Sequence, residues 1–307
     1  MLKKAVLIWA CVCICIFSKH ATAQETISPE GMNMLHLMED SLVHTADSMY
    51  NSNIPDTRFF YHYQFLRQLK KALMVPFSYN YSFSKLDAKI NIMYPQDKSF
   101  RIFNWEIVPN EQTRHYSGAI QLPGEKMKVF PLIDYAPELT KGNEDTVLTT
   151  PKWYGCLYYK IIENMMGETK VYTLMGLNAA NPLSNKKILD PLTITPTGAV
   201  FGAPIFAVPN EVSRTNRVNR FIIEYKKDVQ ASMNWDDELK AIFFDKLVSQ
   251  TNDPVRKYTY VPSGQYDGFR WENDMWSYKP NLITPMELKD NEAPHEAPLK
   301  KETKKGR

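Results

Sequence analysis

The chain has 307 residues, with 37 Lys+Arg against 34 Asp+Glu and 12% aromatic residues. That aromatic load excludes a disordered polymer, and a net charge of +3 provides no strong field for holding nucleic acid.

Residues 1–23 read as a cleaved signal peptide. Lys3 and Lys4 form a basic start, the 13 residues 5–17 are uncharged, and Ala21-Thr22-Ala23 is a small-x-small cleavage site. A spanning helix needs about 20 apolar residues, so this run is short for one. Lipidation at Cys11, Cys13 or Cys15 is disfavoured. Cys11 has few apolar residues upstream, and bulky Val12 and Ile14 precede the other two. Cleavage removes Lys3, Lys4 and Lys19, which lowers Lys+Arg from 37 to 34 and balances the 34 Asp+Glu. Cys156 then stands alone, an internal disulfide is impossible, and stability falls to the core.

The segment 24–76 reads as helical. Ser28-Pro29-Glu30 opens a helix over 28–50, because a cap hydroxyl is followed by a proline whose missing N–H is not needed there. Leu35, Met38, Leu42, Ala46 and Met49 recur at spacings of three and four and define its apolar face. A second helix is predicted over 56–73, with the apolar line Phe59, Tyr63, Leu66, Leu69 and Leu73. Its basic face of Arg67, Lys70 and Lys71 reads as solvated.

Residues 77–286 read as an antiparallel β domain. β-Branched and aromatic residues alternate with polar ones, and Pro, Asn, Asp and Gly clusters interrupt them. Strands are predicted over 88–94, 100–108, 115–122, 126–133, 153–163 and 170–176. Further strands are expected over 188–194, 200–208, 219–226, 232–234, 240–245, 258–261, 268–271 and 276–278. No helical crossover follows residue 77, so parallel pairing is not expected. The predicted class is mainly β: an antiparallel meander forming a sandwich, barrel or propeller-like body, preceded by one or two α-helices. Residues 287–307, rich in charge and ending in Lys304-Lys305-Gly306-Arg307, read as a disordered charged tail.

Motifs for chemistry are sparse. There is no Gly-x-Ser-x-Gly elbow, no phosphate-cradling glycine loop, and no His spacing suited to zinc. Asp236-Asp237-Glu238 reads as a hairpin turn and Cys156 as a buried thiol, with His115 the only His in the β region. No catalytic residue, metal or cofactor is expected. The aromatic surplus is the main hint: Trp105, Trp153, Tyr154 and Trp271 are candidate ligand-binding residues, able to stack on sugars or grip peptides, and the competing reading makes them core. Glu106, Glu163, Glu224 and Asp267 are the carboxylates available to a hydrolase.

Several segments occur together in a telling order. They are Phe100-Arg101-Ile102-Phe103-Asn104-Trp105, Trp153-Tyr154-Gly155, Leu157-Tyr158-Tyr159-Lys160-Ile161 and Ser184-Asn185-Lys186-Lys187-Ile188, then Phe201-Gly202-Ala203-Pro204-Ile205-Phe206 and Tyr266-Asp267-Gly268-Phe269. In this order, over residues 55–280, the chain resembles a family of uncharacterised exported proteins of Bacteroidota. In that family's pattern residues 172–176 would be followed by Trp-Asp-Gly, whereas this chain has Leu177-Asn178-Ala179. The resemblance implies the periplasm or outer surface of a Gram-negative bacterium and brings no activity. The expectation is an exported, non-catalytic cell-envelope protein binding a protein or glycan partner. The alternative is a glycan- or peptide-directed hydrolase with paired carboxylates. Nucleic acid and a transmembrane segment after cleavage are not expected.

Overall fold

The computed structural model describes residues 26–110, 113–139, 143–210 and 214–283. The predicted signal peptide 1–23 and tail 287–307 lie outside the described residues. Among the described residues no helix is long and apolar enough to cross a membrane.

Helix α1 (Pro29–Asn51) starts where the cap chemistry places it: the Ser28 hydroxyl accepts from the Gly31 amide at 3.1 Å. Leu35, Leu42, Ala46 and Met49 are buried along it. Helix α2 (Pro55–Leu73) packs against α1 and keeps Leu69, Leu73 and the half-buried Phe59 of the expected line on its inner face, with the middle of that face turned from Tyr63 and Leu66. His62, Phe65, Leu69, Ala72 and Leu73 point inward, while Tyr63 and Leu66 are exposed. Phe65 fixes this rotation by meeting the Trp105 ring edge-on at 5.1 Å. Arg67, Lys70 and Lys71 are exposed. A short helix, α3 (Ser84–Asp87), receives a cap from α1: the buried Glu39 carboxylate accepts from the Lys85 amide at 2.8 Å and the Leu86 amide at 3.1 Å.

The rest is mainly β. The first sheet runs β1 (Asn91–Met93), β2 (Arg101–Asn110), β3 (Thr113–Leu122) and β4 (Lys128–Ile133), all antiparallel. Successive β2 residues face two different cores. Phe103, Trp105 and Ile107 join the helices, and Ile102 faces the opposite way, with Phe100 just before the strand on the same side. The second sheet holds β5 (Leu148–Thr149), β6 (Leu157–Met166), β7 (Thr169–Asn178), β8 (Ser184–Thr195), β9 (Gly198–Phe201) and β12 (Phe221–Lys226). It is buried on both faces. Tyr172, Leu174, Ile188 and Leu192 meet the first sheet, and Val171, Met175 and Leu189 meet the third. The third sheet holds β10 (Phe206–Asn210), β11 (Arg214–Val218), β13 (Met233–Asp236), β14 (Ala241–Ser249), β15 (Tyr260–Glu272) and β16 (Met275–Ile283). The layers therefore stack as helix pair, sheet, sheet, sheet, with a separate apolar core at each of the three junctions. No sheet closes into a barrel.

Buried polar contacts tie the layers. Asn104 of β2 donates to the Cys156 carbonyl at 3.1 Å and accepts from the Tyr158 amide at 2.7 Å. The Trp276 indole of β16 donates to the Thr173 hydroxyl of β7 at 2.9 Å.

Several strand expectations change. The predicted strand 200–208 breaks at Gly202, whose φ of +99° an L side chain rarely adopts; β9 and β10 then enter different sheets. The strands predicted over 258–261 and 268–271 merge into the 13-residue β15, bulged where it pairs with both neighbours. Residues 153–156 precede β6 rather than belonging to it; Trp153 makes a single parallel bridge to Asp134. One unexpected parallel pairing joins β10 to β16 at Phe206–Trp276 and Ala207–Ser277. It needs no helical crossover, because five strands of the chain lie between the two partners.

Candidate functional site

A cleft of about 710 Å³ lies between β12 of the middle sheet and β14–β15 of the third. Its floor is aromatic. The Phe221 and Phe244 rings lie 4.9 Å apart, and Tyr278 lies 6.1 Å from Phe244. Lys257 stands over the Tyr260 ring at 4.4 Å on the rim. The opposite wall is the segment 143–145. It is fixed from inside: Arg220 donates to the Asn143 carbonyl at 2.8 Å, and Asn219 donates to the Asp145 carbonyl at 2.6 Å.

The carboxylates of the cleft are held as acceptors. Asp267 is buried; it accepts from the Tyr278 hydroxyl and, at 2.8 Å, from the Asn281 amide. Burial and the neighbouring Asp267 push the Tyr278 hydroxyl well above its usual range, so it remains a donor. Asp245 accepts from the Ser232 amide at 2.6 Å. Glu224 accepts from the Ser184 hydroxyl and faces the Lys186 ammonium at 3.8 Å. Glu144 differs: burial pushes its carboxyl up, and the Ile222 amide only partly offsets this.

Of the four carboxylates offered by the sequence, the fold brings Glu224 and Asp267 to this cleft and leaves the other two elsewhere. Glu106 pairs with Arg114 at 2.6 Å. Glu163 faces Lys170 at 3.6 Å and accepts from the Asp97 amide at 2.8 Å.

The aromatic candidates sit mostly in the core. Trp105, Trp153 and Tyr154 are buried, and Trp271 is half-buried with its ring 5.2 Å from Trp276. Most of the surplus fills cores that, among the described residues, have no disulfide to help them; it covers the rings of Trp105, Trp153 and Tyr154, while Trp271 stays partly exposed. Cys156 is fully buried, and burial pushes its thiol well up, so it stays protonated. Asp236 accepts from the Glu238 amide at 2.9 Å, the local turn bond expected between β13 and β14.

The residues that form the cleft floor, Phe221, Phe244 and Tyr278, and Tyr260 on its rim are ordinary alternating strand residues in the sequence. The one signal that could have found them is the polar loop 137–151, which a long connection in a β protein invites one to place over a cavity. No protein-family model, curated protein or solved structure matches this chain.

Proposed function

We propose that the protein is an exported, non-catalytic envelope protein whose cleft between β12 and β14–β15 binds a glycan. One observation carries this reading: an open cleft of about 710 Å³ combines an aromatic floor with a rim of charged and polar groups already fixed by hydrogen bonds. The half-buried rings of Phe221, Tyr260 and Tyr278 supply the stacking face for a sugar, and fixed donors and acceptors around them address its hydroxyls. The volume suits a short oligosaccharide. Export to the periplasm or outer surface is supported by the pattern of residues 1–23 and by the resemblance to exported Bacteroidota proteins.

Calorimetric titration with a panel of envelope and dietary oligosaccharides tests the reading. Binding weakened about tenfold or more by Tyr260→Ala, with the unfolding midpoint unchanged, is the expected result. Binding by none of the panel, or binding indifferent to Tyr260→Ala, overturns it. The hydrolase reading keeps one observation in its favour: Glu144, Glu224 and Asp267 share the cleft. Release of reducing ends from a bound oligosaccharide, abolished by Glu144→Gln, would establish catalysis in place of simple binding.

A further inference from the structure

A second pocket of about 490 Å³ opens where β7, β8 and β12 end, beside the loop after β12. Arg114, Lys187 and Lys227 line it, and no carboxylate does. The remaining polar lining is neutral, with Asn185, Gln230 and Asn234 among it.

The state of the cations is informative. Arg114 is paired with Glu106 at 2.6 Å. Lys227 donates to two backbone carbonyls, of Ala179 at 2.7 Å and Asn181 at 3.0 Å, and makes no ion pair among the described residues. Lys187 is half-buried, stacks over the Tyr159 ring at 4.6 Å, and has no carboxylate partner among the described residues. Burial pushes the Lys187 ammonium down; burial and the nearby Arg114 do the same to Lys227, partly offset by Glu106. An ammonium held in a partly desolvated pocket is costly in the empty protein, and a bound anion relieves that cost. One neutral group is also left wanting: the buried Asn185 carbonyl oxygen has no hydrogen-bond partner and calls for a donor.

We infer that this pocket binds the acidic group of a hydroxylated small ligand, a sugar acid or a sugar phosphate. Lys187 and Lys227 take the oxyanion, and the amides of Asn185, Gln230 and Asn234 take ligand hydroxyls. Charge-assisted bonds from ammonium groups are the stronger kind, while the amide rim adds a preference for hydroxyl-bearing molecules over bare ions. Leu177 of β7 and Ala179 just after that strand line the same pocket.

The test is a titration of the chain from residue 24 onward with four probes: glucuronate, glucose 6-phosphate, inorganic phosphate and glucose. Either acid should bind at least about tenfold more tightly than glucose, and the tighter of the two identifies the source of the anion. Lys187→Gln should remove that binding without lowering the unfolding midpoint. Asn234→Asp, at an exposed position, should weaken it by placing a negative charge at the mouth. Tyr260→Ala, in the other cleft, should leave it unchanged, which separates this inference from the glycan cleft. Failure of both acids to bind, or binding that survives Lys187→Gln, overturns the proposal. Inorganic phosphate binding as tightly as glucose 6-phosphate overturns the part assigned to the amides.

Discussion

The Arg220 guanidinium lies 2.7 Å from the Asp190 carboxylate, and neither side chain reaches solvent. The pair sits in a longer chain of bonds: Trp153 donates to the Tyr158 hydroxyl at 2.7 Å, and Tyr158 donates to the second Asp190 oxygen, also at 2.7 Å. Arg220 reaches onward to the backbone of 143–146, the wall of the large cleft. A core contact thus holds a surface feature in place.

Removing one partner strands a buried charge. Arg220→Met or Asp190→Leu alone should cost about 3–5 kcal/mol, and combining the two should recover much of the loss. Urea unfolding of the three variants measures this. Single-variant costs below about 1 kcal/mol would contradict the assignment.

Gly155 has no room for a side chain. A Cβ there would collide with the Asp134 carboxylate, which accepts from the Tyr116 amide at 3.3 Å and the Ala136 amide at 3.0 Å. Gly155→Ala should destabilise the protein by roughly 2 kcal/mol or more. In an Asp134→Ala background the same change should cost much less, a non-additivity that a double-mutant cycle reads directly.

His62 predicts a pH response. Burial, aided by His115, lowers it from 6.5 to about 4, and its Nδ1 accepts from the Trp105 indole at 3.3 Å in the neutral form. The folded value lies below the unfolded one. Its contribution is therefore intact above about pH 6.5 and is lost as pH falls through about 4, by an amount on the order of 3 kcal/mol. Stability measured from pH 7 to 4 should show this slope, and His62→Gln should flatten it. An unchanged slope in the variant would assign the effect elsewhere.

Core and cleft aromatics should separate cleanly. Trp105→Ala should cost about 3–5 kcal/mol in stability, since it empties a site between the helix pair and the first sheet. Tyr260→Ala, on the cleft rim, should cost under about 1 kcal/mol while weakening ligand binding. Paired thermal unfolding and titration would show either this division or its absence.

Much of the fold was legible because it is written locally. Ser28-Pro29 marked the start of α1, and the alternation in β2, β3 and β8 marked strands, since cap chemistry and side-chain period depend on near neighbours alone. The buried face of α2 was legible at Phe59, Leu69 and Leu73 but not in its middle. Tyr63 and Leu66 continue an apolar line as well as His62 and Phe65 do, and only the position of Trp105 chooses between the two faces. The site was hidden for a related reason. Its floor and rim come from segments as far apart as 143–145, β12, β14, β15 and β16.

The sequence by itself determined a mainly β molecule with a helical start, since both follow from composition and short-range periodicity. The tertiary structure alone decided that four layers stack, that most of the prominent tryptophans go inside, and that Glu224 and Asp267 line one cleft while Glu106 and Glu163 lie elsewhere. The physical reason is that sheet stacking pairs residues about a hundred positions apart, and burial, not residue type, settles whether an aromatic ring stabilises a core or faces a ligand.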